Sequence, residues 1–200
     1  MKPIDFWYSI GSTYTCLTVF RLGEVVARTG ARVVWRPFDV RAIMLKQNNI
    51  PFRDKPAKAA HMWRDIERRA GLHGVEVRVP APYPLARLPR ANRIAMVGMA
   101  EGWGEDWTHE TYRLWFREGL PAGEEPNVGQ SLAAVGQDPA RVLALADADA
   151  AREALARQTA EAEALGIFGA PSFVVDGELF WGDDRLEDAI RWARHGRLDG

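Results

Sequence analysis

The chain has a single cysteine, Cys16, in 200 residues. One thiol excludes an internal disulfide, dithiol redox chemistry carried by the chain alone, and any zinc centre built from several thiolates. Its four histidines, His61, His73, His109 and His195, stand apart from one another and from Cys16. No spacing reads as a metal site, and none is expected. Charge of one sign is also lacking, with Lys plus Arg totalling 26 against 27 for Asp plus Glu and a net charge of -1. There is no basic field for nucleic acid and no acidic tail. The longest uncharged stretch lies between Asp5 and Arg21 and is broken by Ser9, Gly11, Ser12 and three threonines. It is shorter than the roughly 20 apolar residues a membrane-spanning helix needs. It follows an acidic residue and has no small-residue cleavage site, so it does not read as a secretory signal, and a cytoplasmic protein is expected.

A composition of 47% hydrophobic and 26% charged residues describes a folded chain, large enough to bury about two thirds of its unfolded surface. The run Ile4 to Ser9 has strand propensity and ends at Gly11-Ser12. From Thr13, the positions Tyr14, Leu17, Phe20, Leu22, Val25 and Val26 recur at helical spacing until Thr29-Gly30, which predicts a helix with Ser12 near its start. Ala31 to Phe38 is a second strand candidate, and the strand, helix, strand order predicts a parallel pair joined by a crossover. Near the other end, Ser172 to Val175 and Glu178 to Trp181 flank Asp176-Gly177, a type I′ hairpin signal. A last amphipathic helix follows Asp183-Asp184. Between these ends the pattern is helical over 54–72, 88–103, 107–116, 128–135, 139–146 and 148–165. The chain therefore reads as α/β. Residues 1–38 and 167–200 build one small mixed sheet with two helices, and residues 39–166 form an inserted helical subdomain.

A strand, a tight turn, a helix starting near Ser12, and much later an X-Pro step entering a hairpin make a thioredoxin-like arrangement. With a large helical insertion it is DsbA-like. Four segments carry a closer resemblance: Asp5-Phe6-Trp7 with Gly11-Ser12-Thr13-Tyr14; Asn49 with Lys58 nine residues on; Gly166 to Phe173; and Leu179 to Arg185. Over residues 4 to 195 the chain resembles the 2-hydroxychromene-2-carboxylate isomerase family and its relative, the kappa-class glutathione transferase. Ser12 stands where a disulfide oxidoreductase carries its first active cysteine, and Thr15 where it carries the second. An anion-favouring helix terminus remains there, and the resemblance implies that the thiol is glutathione, with the Ser12 hydroxyl donating to its sulfur.

The resemblance further implies a cis peptide bond at Ala170-Pro171, with Ala170 offering its backbone to the cysteinyl part of glutathione. It implies that Asp183 and Asp184 hold the glutamyl end, and that Asn49 and Lys58 lie beside cofactor and substrate. A pocket for a small aromatic carboxylate is expected from Trp7, Tyr8, Tyr83 and Arg87, together with the Trp103 to Trp107 segment, and a homodimer is expected. The function implied is a glutathione-dependent cis-trans isomerisation in aromatic-compound degradation. A kappa-like glutathione transferase, a non-catalytic thiol or peptide-binding module, and disulfide exchange through Cys16 remain as alternatives. Plainer roles stand beside these: Ser12 as a helix cap, Asp183-Asp184 as caps, Lys58 as a solvated charge, the tryptophans as core, and Cys16 as a small apolar residue. Two positions depart from the family pattern. Thr13 replaces a common proline, and His61 a common tyrosine.

Overall fold

In β1 (Ile4–Tyr8) alternate side chains go to opposite faces of the sheet. Ile4, Phe6 and Tyr8 enter one apolar cluster, whereas Trp7 enters a second with Phe38 and Val174. Both faces are therefore covered. A computed structural model of the protein describes residues 1–49, 52 and 54–198. After β1 come α1 (Thr15–Thr29), β2 (Val33–Pro37), α2 (Val40–Lys46), α3 (Pro56–Leu72), α4 (Leu88–Glu101), α5 (Gly104–Glu118), α6 (Asn127–Ala134), α7 (Pro139–Asp147) and α8 (Asp149–Ala164). Then β3 (Ser172–Val175), β4 (Glu178–Trp181), a 3-10 turn (Asp183–Arg185) and α9 (Leu186–His195) complete the described fold.

The sheet order is β2-β1-β3-β4, with β1 parallel to β2 and antiparallel to β3, and β3 antiparallel to β4. This is an α/β, thioredoxin-like mixed sheet with a large helical insertion. The β3-β4 turn has φ of 54° at Asp176 and 85° at Gly177, as a type I′ turn requires. Phe6 stacks on Tyr8 at 5.3 Å and on Phe173 at 5.4 Å, and meets Trp35 edge-on at 4.9 Å. The central strand pair is thereby locked in register by its aromatic face.

Two elements differ from the sequence expectation. The helical pattern misses α2, a short helix that starts because the Asp39 carboxylate accepts from the Arg41 and Ala42 amides at 3.0 and 3.2 Å. Its length of seven residues is too short for a clear 3.6-residue period. α1 begins at Thr15 rather than at Ser12 or Thr13. The delay has a local cause: Gly11 has φ of 124°, the Ser12 amide closes a turn onto the Ser9 carbonyl at 3.0 Å, and the chain completes that turn before the helical ladder starts.

This turn, Ser9 to Ser12, is buried or nearly so, and the helical insertion supplies its partners. Asn92 of α4, fully buried, accepts from the Ile10 amide at 2.8 Å and donates to the Ser9 hydroxyl at 3.2 Å and the Leu88 carbonyl at 3.1 Å. The Tyr112 hydroxyl of α5 bridges the Ser9 and Ser12 carbonyls, each at 3.1 Å. Leu88 presses on Gly11 so closely that a Cβ there would meet its Cδ1 at 2.3 Å. Gly11→Ala therefore combines an unfavourable left-handed backbone with overpacking. It is expected to lower unfolding stability by about 2–4 kcal/mol in urea titration, whereas Gly30→Ala, whose Cβ meets nothing within 4 Å, is expected to cost about 1 kcal/mol from backbone strain alone.

Candidate active site

Beside this turn opens a cleft of about 340 Å³, within the size range of small-molecule sites. Ser12, Asn49, Lys58, Tyr83 and Ala170 all border it, so five residues singled out in the sequence, spread over most of its length, converge on one space. The Ser12 hydroxyl donates to the Ala170 carbonyl at 2.6 Å. Its oxygen also receives the Thr15 amide, but at 3.4 Å, close to the limit for a hydrogen bond. Helix capping is thus a minor part of what Ser12 does; its proton points across the cleft to the chain segment before β3. The Ala170-Pro171 peptide is cis. Pro171 is buried behind Ala170, its carbonyl held by the Gly182 amide at 2.9 Å.

Five other residues lie elsewhere. Trp7 and Tyr8 are buried in the two faces of the sheet and do not border the cleft. Alternation decides this, because β1 is central and both of its faces are covered. The Tyr8 hydroxyl is 3.1 Å from the Thr108 hydroxyl, and burial pushes its pKa above the usual range. Arg87 is exposed at the start of α4, outside the cleft. Trp103 and Trp107 are buried in the core.

Asp183 is only 2% exposed, and both its carboxylate oxygens are committed. Oδ1 takes the Arg21 Nε at 3.2 Å and the Thr18 hydroxyl at 3.3 Å, and Oδ2 takes Arg69 at 2.6 and 2.9 Å. Asp184 is exposed and pairs with Arg185 at 3.7 Å. Neither carboxylate borders the cleft.

The cleft wall also contains residues outside the converging group of five. Trp181, 54% exposed, and Phe168, 41% exposed, meet edge to face at 4.8 Å, and the Trp181 indole lies over Gly169, where a Cβ would come within 2.2 Å of its Nε1. Both aromatics sit in segments that carry the family resemblance, so a signal existed for them. Arg41, Met44 and Phe52 come from α2 and the loop after it, the stretch with the weakest period. His61 and Met62 follow Lys58 on α3, and the Thr13 hydroxyl donates to the Met62 sulfur at 3.1 Å. Asn92 and Tyr112, which hold the Ser9–Ser12 turn, gave one faint sign: Asn92 is a polar residue four positions after Leu88, on the buried stripe of α4.

Among the described residues no Asp or Glu borders the cleft, while Arg41 and Lys58 do. Burial raises the Tyr83 pKa, with the Arg41 charge opposing the shift, so the phenol stays protonated at neutral pH. Burial, followed by the hydrogen bond to Asp65, raises the Tyr14 pKa above the usual range. Chemically the cleft offers a hydroxyl donor, an apolar and aromatic wall, and two cations.

The DSBA-like thioredoxin domain model matches residues 3–190. The chain belongs to the DSBA-like thioredoxin family. Within it, the chain is 25% identical over 188 residues to 2-hydroxychromene-2-carboxylate isomerase of Sphingobium xenophagum, covering 93% of this chain and 95% of that one. It is 24% identical to the Pseudomonas putida protein of the same name over 185 residues, covering 92% and 90%. The solved structure of a 2-hydroxychromene-2-carboxylate isomerase superposes with a TM-score of 0.84 at 24% identity, covering 97% of each chain. The cytosolic disulfide reductase DsbM of Pseudomonas aeruginosa superposes at 0.65 with 16% identity, covering 97% of this chain and 98% of that one. The DSBA-like fold is therefore shared between isomerases and disulfide enzymes, and the residues of the cleft must decide between them.

Cys16 argues against disulfide chemistry here. It is wholly buried on α1, and burial, reinforced by the Asp183 charge, pushes its pKa well above the usual thiol range. An inaccessible, protonated thiol is a poor nucleophile. Native protein is expected to react with a disulfide reagent at pH 8 on the order of a hundredfold more slowly than denatured protein; rapid native labelling would restore the thiol-exchange reading. A second prediction concerns Asp183. Asp183→Asn strips the charge from between Arg21 and Arg69 and is expected to destabilise the fold by about 3 kcal/mol in chemical denaturation, whereas Asp184→Asn, at an exposed site, is expected to change stability by less than about 0.5 kcal/mol.

Proposed function

We propose that this chain is a glutathione-dependent cis-trans isomerase that acts on 2-hydroxychromene-2-carboxylate, or a closely similar flat aromatic acid, in aromatic-compound degradation. The observation that carries this reading is a hydroxyl, Ser12, poised at an anion-favouring helix terminus across from Ala170, in a cleft that has no thiol of its own. The two curated relatives, at about 25% identity over nearly their whole length, support the isomerase class. A cytoplasmic location belongs to the same proposal; no helix of the described residues is long and apolar enough to cross a membrane.

The residues present fit glutathione. The cleft has the volume for a small-molecule ligand and, among the described residues, no carboxylate along its wall to repel the anionic peptide. The Ala170 backbone leads into β3 beside Ser12, as required to pair with an extended peptide. When bound, glutathione supplies the thiolate that adds reversibly to the conjugated carbon of the substrate, so that the bond can rotate and the thiol is regenerated. Turning the Ser12 hydroxyl from the Ala170 carbonyl to a sulfur exchanges a neutral hydrogen bond for a charge-assisted one. The amides at the start of α1 act in the same direction. The aromatic wall orients a flat ring, Tyr83 offers a phenolic proton, and the cations of Arg41 and Lys58 favour an acid over a neutral ring.

Together the hydroxyl and the helix terminus are expected to lower the thiol pKa from about 8.5 to about 6.5, raising the thiolate fraction at pH 7 from about 3% to about three quarters. Because the charged form is favoured, activity should be level above about pH 7.5 and fall as the pH drops through about 6.5. Ser12→Ala is expected to lower kcat/KM about a hundredfold, by analogy with loss of a single oxyanion donor, and to return the bound thiol toward its free pKa. Isomer turnover with the glutathione concentration unchanged is the expected stoichiometry. Steady consumption of glutathione would instead show a transferase. Unaltered kinetics and thiolate absorbance in Ser12→Ala would overturn the reading.

A further inference from the structure

The cleft has two chemically different ends, and binding a thiol accounts for only one of them. At the first, the Ser12 hydroxyl meets the Ala170 carbonyl and Trp181 covers Gly169. At the second, the Lys58 ammonium stands 5.8 Å from the Phe52 ring centre, Phe52 meets Tyr83 edge-on at 5.9 Å, and Tyr83 meets Trp63 at 6.0 Å. Arg41 lines the same cleft as Tyr83, and its charge opposes the rise that burial imposes on the Tyr83 pKa.

The state of that arginine is unusual for a half-buried one. Arg21, Arg36, Arg69, Arg90, Arg93 and Arg113, buried or half-buried like it, are all tied to carboxylates, but no side-chain hydrogen bond or ion pair among the described residues engages the Arg41 guanidinium; only its backbone amide is used, by Asp39. Lys58 is exposed and stays hydrated, whereas Arg41 is half-buried in an apolar wall. A cation in that position is poorly screened and lacks a counter-charge. A planar, five-donor fork is also the group best matched to a carboxylate.

Building on the isomerase reading of the cleft, we infer that Arg41 is a specificity-determining residue whose guanidinium binds the carboxylate of a flat aromatic acid beside Tyr83, leaving the reacting end of that acid directed toward Ser12. The acid satisfies the fork; a neutral aromatic electrophile of the same shape leaves it buried and unpaired. Selection therefore comes as much from rejecting the neutral ring as from attracting the acid.

The test is equilibrium binding of coumarin-3-carboxylate and its neutral ethyl ester to the full chain, followed by tryptophan fluorescence. The wild type is expected to favour the acid by about tenfold to a hundredfold. Arg41→Gln should remove most of that preference by weakening the acid alone, leaving the small part due to the hydrated Lys58 charge, and Arg41→Lys should recover part of it, since it restores the charge without the fork. Glutathione affinity and thiol titration should be unchanged in both variants, which also reports that they are folded. An acid preference that persists undiminished in Arg41→Gln, or an equal loss of glutathione binding, overturns the assignment. If the wild type selects the acid through Arg41 yet does not isomerise 2-hydroxychromene-2-carboxylate, the proposed function fails and the carboxylate site stands. If it isomerises with the same KM in Arg41→Gln, the site fails and the function stands.

Discussion

A buried turn cannot leave its backbone groups unpaired, and the turn from Ser9 to Ser12 sits between the central strand and the first helix with little access to water. Each unsatisfied amide or carbonyl there would cost about 1–3 kcal/mol. The sheet cannot supply the partners, because β1 already spends its own groups on β2 and β3. They come instead from Asn92 and Tyr112 on α4 and α5, and from the Ser12 amide closing onto Ser9. The helical insertion is therefore more than a cover over the sheet: without its two polar side chains, the turn that aims Ser12 could not be buried in this form.

The same economy governs charge. Behind the site, Asp183 pairs with Arg21 and Arg69, Glu187 adds a second carboxylate to Arg21, and the contacts join α1, α3, the turn before α9 and α9 itself. The contacts fall on Thr18 and Arg21, in the first half of α1, so the ion pairs brace the helix whose terminus faces the cleft. In the cleft itself the balance is one-sided, with cations and, among the described residues, no carboxylate, in a chain whose net charge is only -1. A buried carboxylate fully satisfied by two arginines suits a structural brace. An arginine left free in an apolar wall suits a ligand.

The sheet and most helices were legible because their signals are local. Alternation in β1, the Asp176-Gly177 turn, and apolar stripes bounded by glycine or proline all report on neighbours within a few residues. The family resemblance extended this to Ser12, Asn49, Lys58 and Ala170, which do meet in one cleft. Local signals failed where two faces competed. Trp7 and Tyr8 have the composition of a binding pocket, but their strand is central and covered on both sides, so they became core. Asp183 has the composition of a ligand-binding carboxylate, but two arginines distant in sequence reached it first. Arg41 was invisible because α2 is too short to display a period.

By itself the sequence determined the α/β class, the parallel first strand pair and the terminal hairpin, the absence of any dithiol, and the positions of a hydroxyl and an X-Pro step that a thioredoxin-like frame brings face to face. Those follow from periodicity, turn chemistry and residue type, which act over short range. Only the tertiary structure decided which charges are spent and which are free. Hydrogen bonds and ion pairs between residues a hundred or more positions apart carry no local mark, so whether an aspartate braces a helix or an arginine awaits an acid is settled when the helices pack.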